Sequence, residues 1–296
     1  MSETALRVPS TGAVDRRGAA RRRPLSRPEG PKKYLLSAIG VLLLAGMLFP
    51  VYWMVNISLQ PAGSAIEASW FPFEAQFGGY AQALADQGGN LVTSLVIALG
   101  SVVLSLAIAT PASYALAQFK VRGVNAVLFA ILISQMIPGI VVANALYAAY
   151  NDVGLLNTIP GLILADSTAG VPFAILIMRA FMLNIPPSVI EAAKVDGAGD
   201  FRAFRSIVLP ISRNAMITAG LFTFLFTWSD FLMALTLTTT TDIRPITLGI
   251  YQYIGTYTAD WSTVMAAAVL ASLPAIVLLL AAQKFIAAGA TGGAVK

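Results

Sequence analysis

Residues 124–150 read VNAVLFAILISQMIPGIVVANALYAAY, an unbroken run with no charged side chain. At helical rise about 20 apolar residues cross the roughly 30 Å hydrocarbon of a bilayer. A soluble helix of that length would keep one polar face, and this one has none. Five further long apolar stretches lie at residues 34–57, 91–117, 159–181, 214–236 and 261–285, with Asp166 and Asp230 as the acids inside them. The expected fold is an all-α integral membrane protein with about six transmembrane helices. Composition agrees: 57% of residues are hydrophobic and 11% charged, against roughly one quarter charged in soluble domains.

The connections between the spans set the orientation, because Lys and Arg are retained on the cytoplasmic side during insertion. Nine of the 19 bases lie before residue 34. With that tail inside, Lys120 and Arg122, five bases from Arg179 to Arg213, and Lys284 and Lys296 also fall inside, leaving only Arg244 outside. Both termini are therefore cytoplasmic. The expected organisation is a disordered basic cytoplasmic tail (1–33), a transmembrane domain (34–289) with a cytoplasmic loop at 182–213, and a cytoplasmic C-terminal tail (290–296). The tail holds Arg16, Arg17 and Arg21 to Arg23 among Pro, Gly and Ser, too little apolar surface to fold alone. A cleaved signal peptide is the alternative, and the apolar run after Lys33 is long for one.

With no Cys and no His, the chain lacks disulfides, thiolate and imidazole metal ligands, and histidine proton shuttles. Neither a catalytic residue nor a metal site is identified. No Gly-rich loop ends in Gly-Lys-Ser/Thr, so nothing here cradles nucleotide phosphates. Within the spans, Ser101, Ser105, Ala109 and Ser113 recur every fourth residue and predict a smooth stripe for close helix packing. Pro111, Pro138, Pro172 and Pro274 each predict a kink. Asp166 and Asp230 are costly inside a membrane, at about 2.5–3.5 kcal/mol for a central acid, and must face protein or water. Asp166, near the outer end of its span, is expected to snorkel or cap.

The loop at 182–213 is the one internal connection with room for structure of its own. Pro186 and Pro187 end the preceding helix, and Ser188 with Glu191 three residues on predicts a capping box. Gly197 predicts a left-handed helix stop. Asp200 predicts the cap of a second helix in which Phe201, Phe204 and Val208 share a face, closed by Leu209 and Pro210. The product is two short helices joined by a glycine turn, between the fourth and fifth spans.

Glu191-Ala192-Ala193, three residues, Gly197, nine residues, Ile207, one residue, Leu209-Pro210 resembles the EAA loop of ATP-binding-cassette importer permeases. Met136-Ile137-Pro138, residues 154–158 (GLLNT), Asp196-Gly197-Ala198, Trp228, Asp230 and Phe231 resemble the maltose-type carbohydrate permeases, as does the glycine-rich stretch from Gly289. Ser229 departs from the Asn usual there, and the chain stops at Lys296 without the usual further Gly. The resemblance implies that Glu191, Ala192, Ala193, Asp196, Gly197, Ile207, Leu209 and Pro210 couple to cytoplasmic ATPase subunits, with Glu191 pairing with a base there. It also implies a second, homologous permease, an extracytoplasmic solute-binding protein, and a sugar or oligosaccharide as solute. The chain itself carries no cofactor; ATP and Mg would sit on the partner ATPases.

Gln135, Asn144, Trp228 and Asp230 are the polar candidates for the translocation path, with Trp228 and Asp230 as a sugar-gripping pair, although for each residue taken singly helix-to-helix hydrogen bonding is the commoner role. The outer aromatics Trp70, Phe71, Phe73, Phe77 and Tyr80 suit a receptor or the membrane interface. The alternatives are an ion-coupled secondary carrier using Asp166 and Asp230, an importer permease for a non-sugar solute, and a scaffold without a path.

Overall fold

A computed structural model of the chain describes residues 31–62, 69–256 and 260–292. The basic tail before residue 31, Glu67 and residues 293–296 lie outside the described residues. Among the described residues every regular element is a helix. They run α1 Pro31–Ser58, α2 Gly78–Gln118, α3 Val124–Ser134, α4 Gly139–Val153, α5 Ile159–Met182, α6 Pro187–Val195, α7 Asp200–Ala203, α8 Leu209–Ile211, α9 Arg213–Ser229, α10 Leu232–Leu237, α11 Ile246–Thr256 and α12 Trp261–Gly292. Four helices (α1, α2, α5 and α12) are long and apolar enough to cross a membrane, and two bent helix pairs bring the number to six.

Up to Pro50, α1 is apolar and exposed on every described face. From Val51 its side chains meet the segment that follows. Trp53 lies edge-on to Trp70 at 5.4 Å, and Asn56 Nδ2 donates to the Ser69 carbonyl at 2.7 Å.

The predicted third span is broken. α3 and α4 meet at 91°, with residues 135–138 forming the corner. Pro138 takes φ −58°, ψ 133° and starts α4. Gly139 follows it, and a Cβ there would lie 3.2 Å from Leu232 Cδ2, so the corner seats against the start of α10. Pro111, Pro172 and Pro274 leave their helices continuous. The predicted fifth span is interrupted too. α9 stops at Ser229, and Asp230 Oδ2 accepts the backbone N–H groups of Met233 and Ala234 at 3.0 and 3.2 Å, giving α10 its start.

The small-residue stripe of α2 faces α5, as expected. Ser101, Ser105, Ala109 and Ser113 are all fully buried. Ser101 and Ser113 donate to the carbonyls of Ile163 and Ile175 at 3.4 and 3.2 Å. A Cβ on Gly170 of α5 would fall 2.7 Å from Ser105 Oγ and 2.9 Å from Thr223 Cγ2 of α9. Three helices therefore touch at one point that has room only for hydrogen.

Two outer elements differ from expectation. α2 begins at Gly78 rather than near residue 91, and α11 is a helix within what reads as a loop. They form because they pack on each other. Ser94 Oγ accepts the Ile246 N–H at 2.8 Å, and Gly249 lies so close to Gln87 and Asn90 that an added Cβ would sit 2.4 and 2.5 Å from their side chains. At the start of α12, burial pushes the Asp260 carboxyl up, but hydrogen bonds from Thr263 and Ser262 outweigh it and hold the group below the usual carboxylate range. The 154–158 patch is an outer connector. Gly154 ends α4 at φ +72°, and Asn157 Oδ1 accepts from Thr239 N and Thr240 N at 2.6 and 2.9 Å.

Gly170→Val should pry α2, α5 and α9 apart at this point, costing about 1–3 kcal/mol as overpacking does. The check is a lower midpoint of unfolding in detergent, whereas Gly40→Val, where an added Cβ meets nothing within 4 Å, should leave it unchanged.

Candidate functional site

The loop between α5 and α9 folds as two short helices set onto the inner ends of α2 and α5. α6 starts two residues earlier than the capping box requires. Pro186 is extended at φ −62°, ψ 129° and Pro187 takes the first helical turn, where a missing N–H costs nothing. Ser188 therefore lies inside the helix, no side-chain cap bond forms, and the carboxylate of Glu191 is left exposed instead of closing a box.

α6 ends as its sequence predicts. Gly197 has φ +85°. Its N–H donates to the Lys194 carbonyl at 3.1 Å, and the Ala198 N–H donates to the Ala193 carbonyl at 2.9 Å. These two bonds define a Schellman stop. Asp200 does not cap α7, whose preceding residue is Gly199 with no side-chain cap bond. It pairs instead with Lys194 Nζ at 2.6 Å, and that hydrogen bond and the carboxylate's charge raise the ammonium pKa.

Leu209 and Pro210 do not close the second helix. A π-helical turn at Phe204–Val208 makes the Leu209 N–H reach back five residues to the Phe204 carbonyl. That extra residue loosens the turn ahead of the Pro210 ring. The chain stays helical to Ile211 and bends by 73° at Ser212 into α9. Phe201 is exposed while Phe204 is half-buried and Val208 buried, so the three do not share a face. Phe204 stacks obliquely on Tyr114 of α2 with centroids 5.3 Å apart.

The motif residues divide into two sets. Ala193 is buried with Ile190, Met178, Met182 and Val208, and Ile207 packs on the same cluster. Leu209 is half-buried. Glu191, Ala192, Asp196, Gly197 and Pro210 are exposed. One face of α6 thus anchors the loop, and the other presents an acid beside two hollows. One hollow of about 140 Å³ includes Tyr114, Glu191 and Lys194, and one of about 390 Å³ includes Ala192, Asp196 and Ile207.

Two side chains that motif reading missed fix this platform. Gln118 Nε2 donates to the carbonyls of Met182 and Ile185 at 2.6 and 3.3 Å, and Arg179 Nε donates to the Leu116 carbonyl at 3.1 Å. Both lie in the last turn of a span, where a polar side chain facing inward takes up the carbonyls a helix end leaves free.

The four path candidates are not brought together. Gln135, in the α3–α4 corner, and Asn144 on α4 are exposed. Trp228 is buried, stacked on Phe224 with centroids 5.5 Å apart, and its Nε1 donates to the Ala271 carbonyl at 3.0 Å. Its ring is a packing element, not an open sugar platform. Asp230 and Asp166 line one small interior cavity with Ser94 and Thr227, so Asp166 neither snorkels nor caps. Among the described residues no group of three or more His, Cys, Asp or Glu is placed to hold a metal.

A bundle with broken spans and a helical loop docked on its inner face defines a membrane transport permease. Residues 107–291 match the family described as binding-protein-dependent transport system inner membrane component, and the chain belongs to that family. It is a multi-pass protein of the bacterial inner membrane. It is 31% identical over 260 residues to the diacetylchitobiose uptake system permease protein DasC of Streptomyces coelicolor, covering 86% of this chain and 94% of that one. It is also 31% identical over 264 residues to the trehalose transport system permease protein SugB of Mycobacterium tuberculosis, covering 88% and 96%. Its fold is that of a chain in a bacterial ABC transporter involved in import of the acidic polysaccharide alginate, with a TM-score of 0.73 at 22% identity over 88% of this chain and 99% of that one.

Gly197→Val should cost about 1–3 kcal/mol, because a β-branched residue resists φ +85°. The expected outcome is faster limited proteolysis between α6 and α7, with the membrane helices still protected.

Proposed function

We propose that this chain is the permease subunit of an ATP-driven importer for a sugar or oligosaccharide, with the α6 face around Glu191 as its contact with a cytoplasmic ATPase. The observation that carries this reading is the split of the EAA residues. Ala193 and Ile207 are packed against the span ends, while Glu191 and Ala192 are exposed. A pull on the exposed face is thereby passed to α2 and α5 through the Gln118 and Arg179 bonds. ATP and Mg belong to the ATPase, and this subunit does no chemistry of its own. Asp196, Gly197, Leu209 and Pro210 shape the two hollows and the elbow at Ser212.

The sugar assignment rests on relatives: the two permeases above are named for diacetylchitobiose and trehalose uptake, and a melibiose/raffinose/stachyose import permease of Bacillus subtilis is 29% identical over 266 residues. A second, similar permease completes the conduit, and a soluble binding protein delivers the solute to the outer face, where Trp70, Phe71, Phe73 and Phe77 are exposed. Gln135 and Asn144 line the path. Asp230 and Trp228 hold the helix break beside it, so that closing and opening the ATPases rocks a pre-broken bundle between outward and inward packings.

Glu191→Ala should leave the protein in the membrane while co-purification of the ATPase and ATP-dependent sugar uptake both fall at least tenfold. Undiminished co-purification and uptake would overturn the role of Glu191. Uptake driven by an ion gradient without the ATPase would overturn the importer reading.

A further inference from the structure

A cavity of about 600 Å³ opens between α2, α9 and α12, outside the small-residue seam, and among the described residues every one lining it except Arg213 is apolar. Its floor is Gly220, where an added Cβ would lie 3.2 Å from Leu106 and 3.3 Å from Val102. It extends along α9 from Arg213 to Phe224, a rise of about 16 Å. Half of the bilayer hydrocarbon is about 15 Å. The cavity thus runs from the cytoplasmic surface, where Arg213 joins Leu209 and Pro210, to the depth of the midplane, the length of one leaflet.

We propose that this groove binds one acyl chain of an anionic phospholipid of the cytoplasmic leaflet, with its phosphate against Arg213. The volume falls within the range of small-ligand sites. The groove's length along α9 matches that of an acyl chain within one leaflet. Arg213 is exposed and has neither a hydrogen-bond nor an ion-pair partner among the described residues. A guanidinium at the headgroup level, next to an otherwise wholly apolar slot, complements a phosphate followed by a hydrocarbon tail. The lipid would also touch Leu209 and Pro210 and brace the 73° elbow at Ser212, giving the membrane a direct contact with the hinge between the cytoplasmic loop and α9. This goes beyond the solute and ATPase assignments and does not depend on which sugar is carried.

The test uses the assembled transporter in membranes holding photoactivatable acyl-chain probes carried by phosphatidylglycerol or phosphatidylcholine. Phosphatidylglycerol should label peptides of α2, α9 and α12 at least fivefold more than phosphatidylcholine. Ala281→Trp, which fills the groove, should reduce labelling by both probes at least fivefold. Arg213→Gln should abolish the preference between headgroups while keeping acyl-chain labelling. Equal labelling of wild type and Ala281→Trp, or no headgroup preference in the wild type, would overturn the proposal. So would a photoreactive residue at position 281 that cross-links to a second polypeptide instead of lipid, since that result makes the occupant a helix of the partner permease.

Discussion

The seam between α2 and α5 is the constraint on which the rest depends. Ser101, Ser105, Ala109 and Ser113 let the two helices approach until side-chain hydroxyls reach the opposite backbone, and Gly170 admits α9 at the same depth. In lipid there is no hydrophobic drive to bring helices together, so close contact and interhelical hydrogen bonds must do it, each such bond contributing about 0.6 kcal/mol on average. The seam continues inward through Thr110, whose hydroxyl lies 3.7 Å from Met178 Sδ, to the Arg179 and Gln118 bonds. Beyond these, the buried cluster of Met178, Met182 and Ile185 runs without interruption into Ile190 and Ala193 of the loop. The cytoplasmic loop is therefore packed as the last layer of the bundle.

This continuity explains why the loop residues divide as they do. A helix lying on a membrane protein's inner face must bury one side to be positioned and expose the other to be used. Ala193 suits the first task because a small side chain lets α6 sit close, and Glu191 suits the second because nothing in its own chain engages it as a cap. Gly197 supplies the tight reversal that returns the chain toward Phe204 and Tyr114. The bond from Lys194 to Asp200 spans that reversal at the surface, where an exposed pair adds little stability but limits how far the two short helices can splay.

Much of this was legible in the sequence because hydropathy and the distribution of bases respond to the membrane itself. The long apolar runs located the spans, Lys and Arg oriented them, and the four-residue recurrence of small side chains identified the α2 seam. Local capping rules did less well where two signals competed. Ser188 looked like a cap, yet Pro187 claimed the first helical turn ahead of it. Asp200 looked like a cap, yet Lys194 offered it a charged partner. Pro210 looked like a stop, yet a π-helical turn absorbed it. The helix α11 and the early start of α2 were hidden because they are stabilised by each other, through Ser94, Gln87 and Gly249. Trp228 was chemically suited to grip a sugar, but only its neighbours Phe224 and Ala271 reveal that both its face and its N–H are already engaged.

The right-angled corner at Pro138 bears on how the protein is made. α3 has 11 residues and α4 has 15, legs of about 16 and 22 Å, and each alone falls short of the roughly 30 Å hydrocarbon. Set at 91°, they reach about 28 Å from end to end, close to that thickness only as a pair. During synthesis the insertion machinery must therefore accept both legs together. If it took one without the other, every later span would enter upside down and Glu191 would emerge on the wrong side of the membrane.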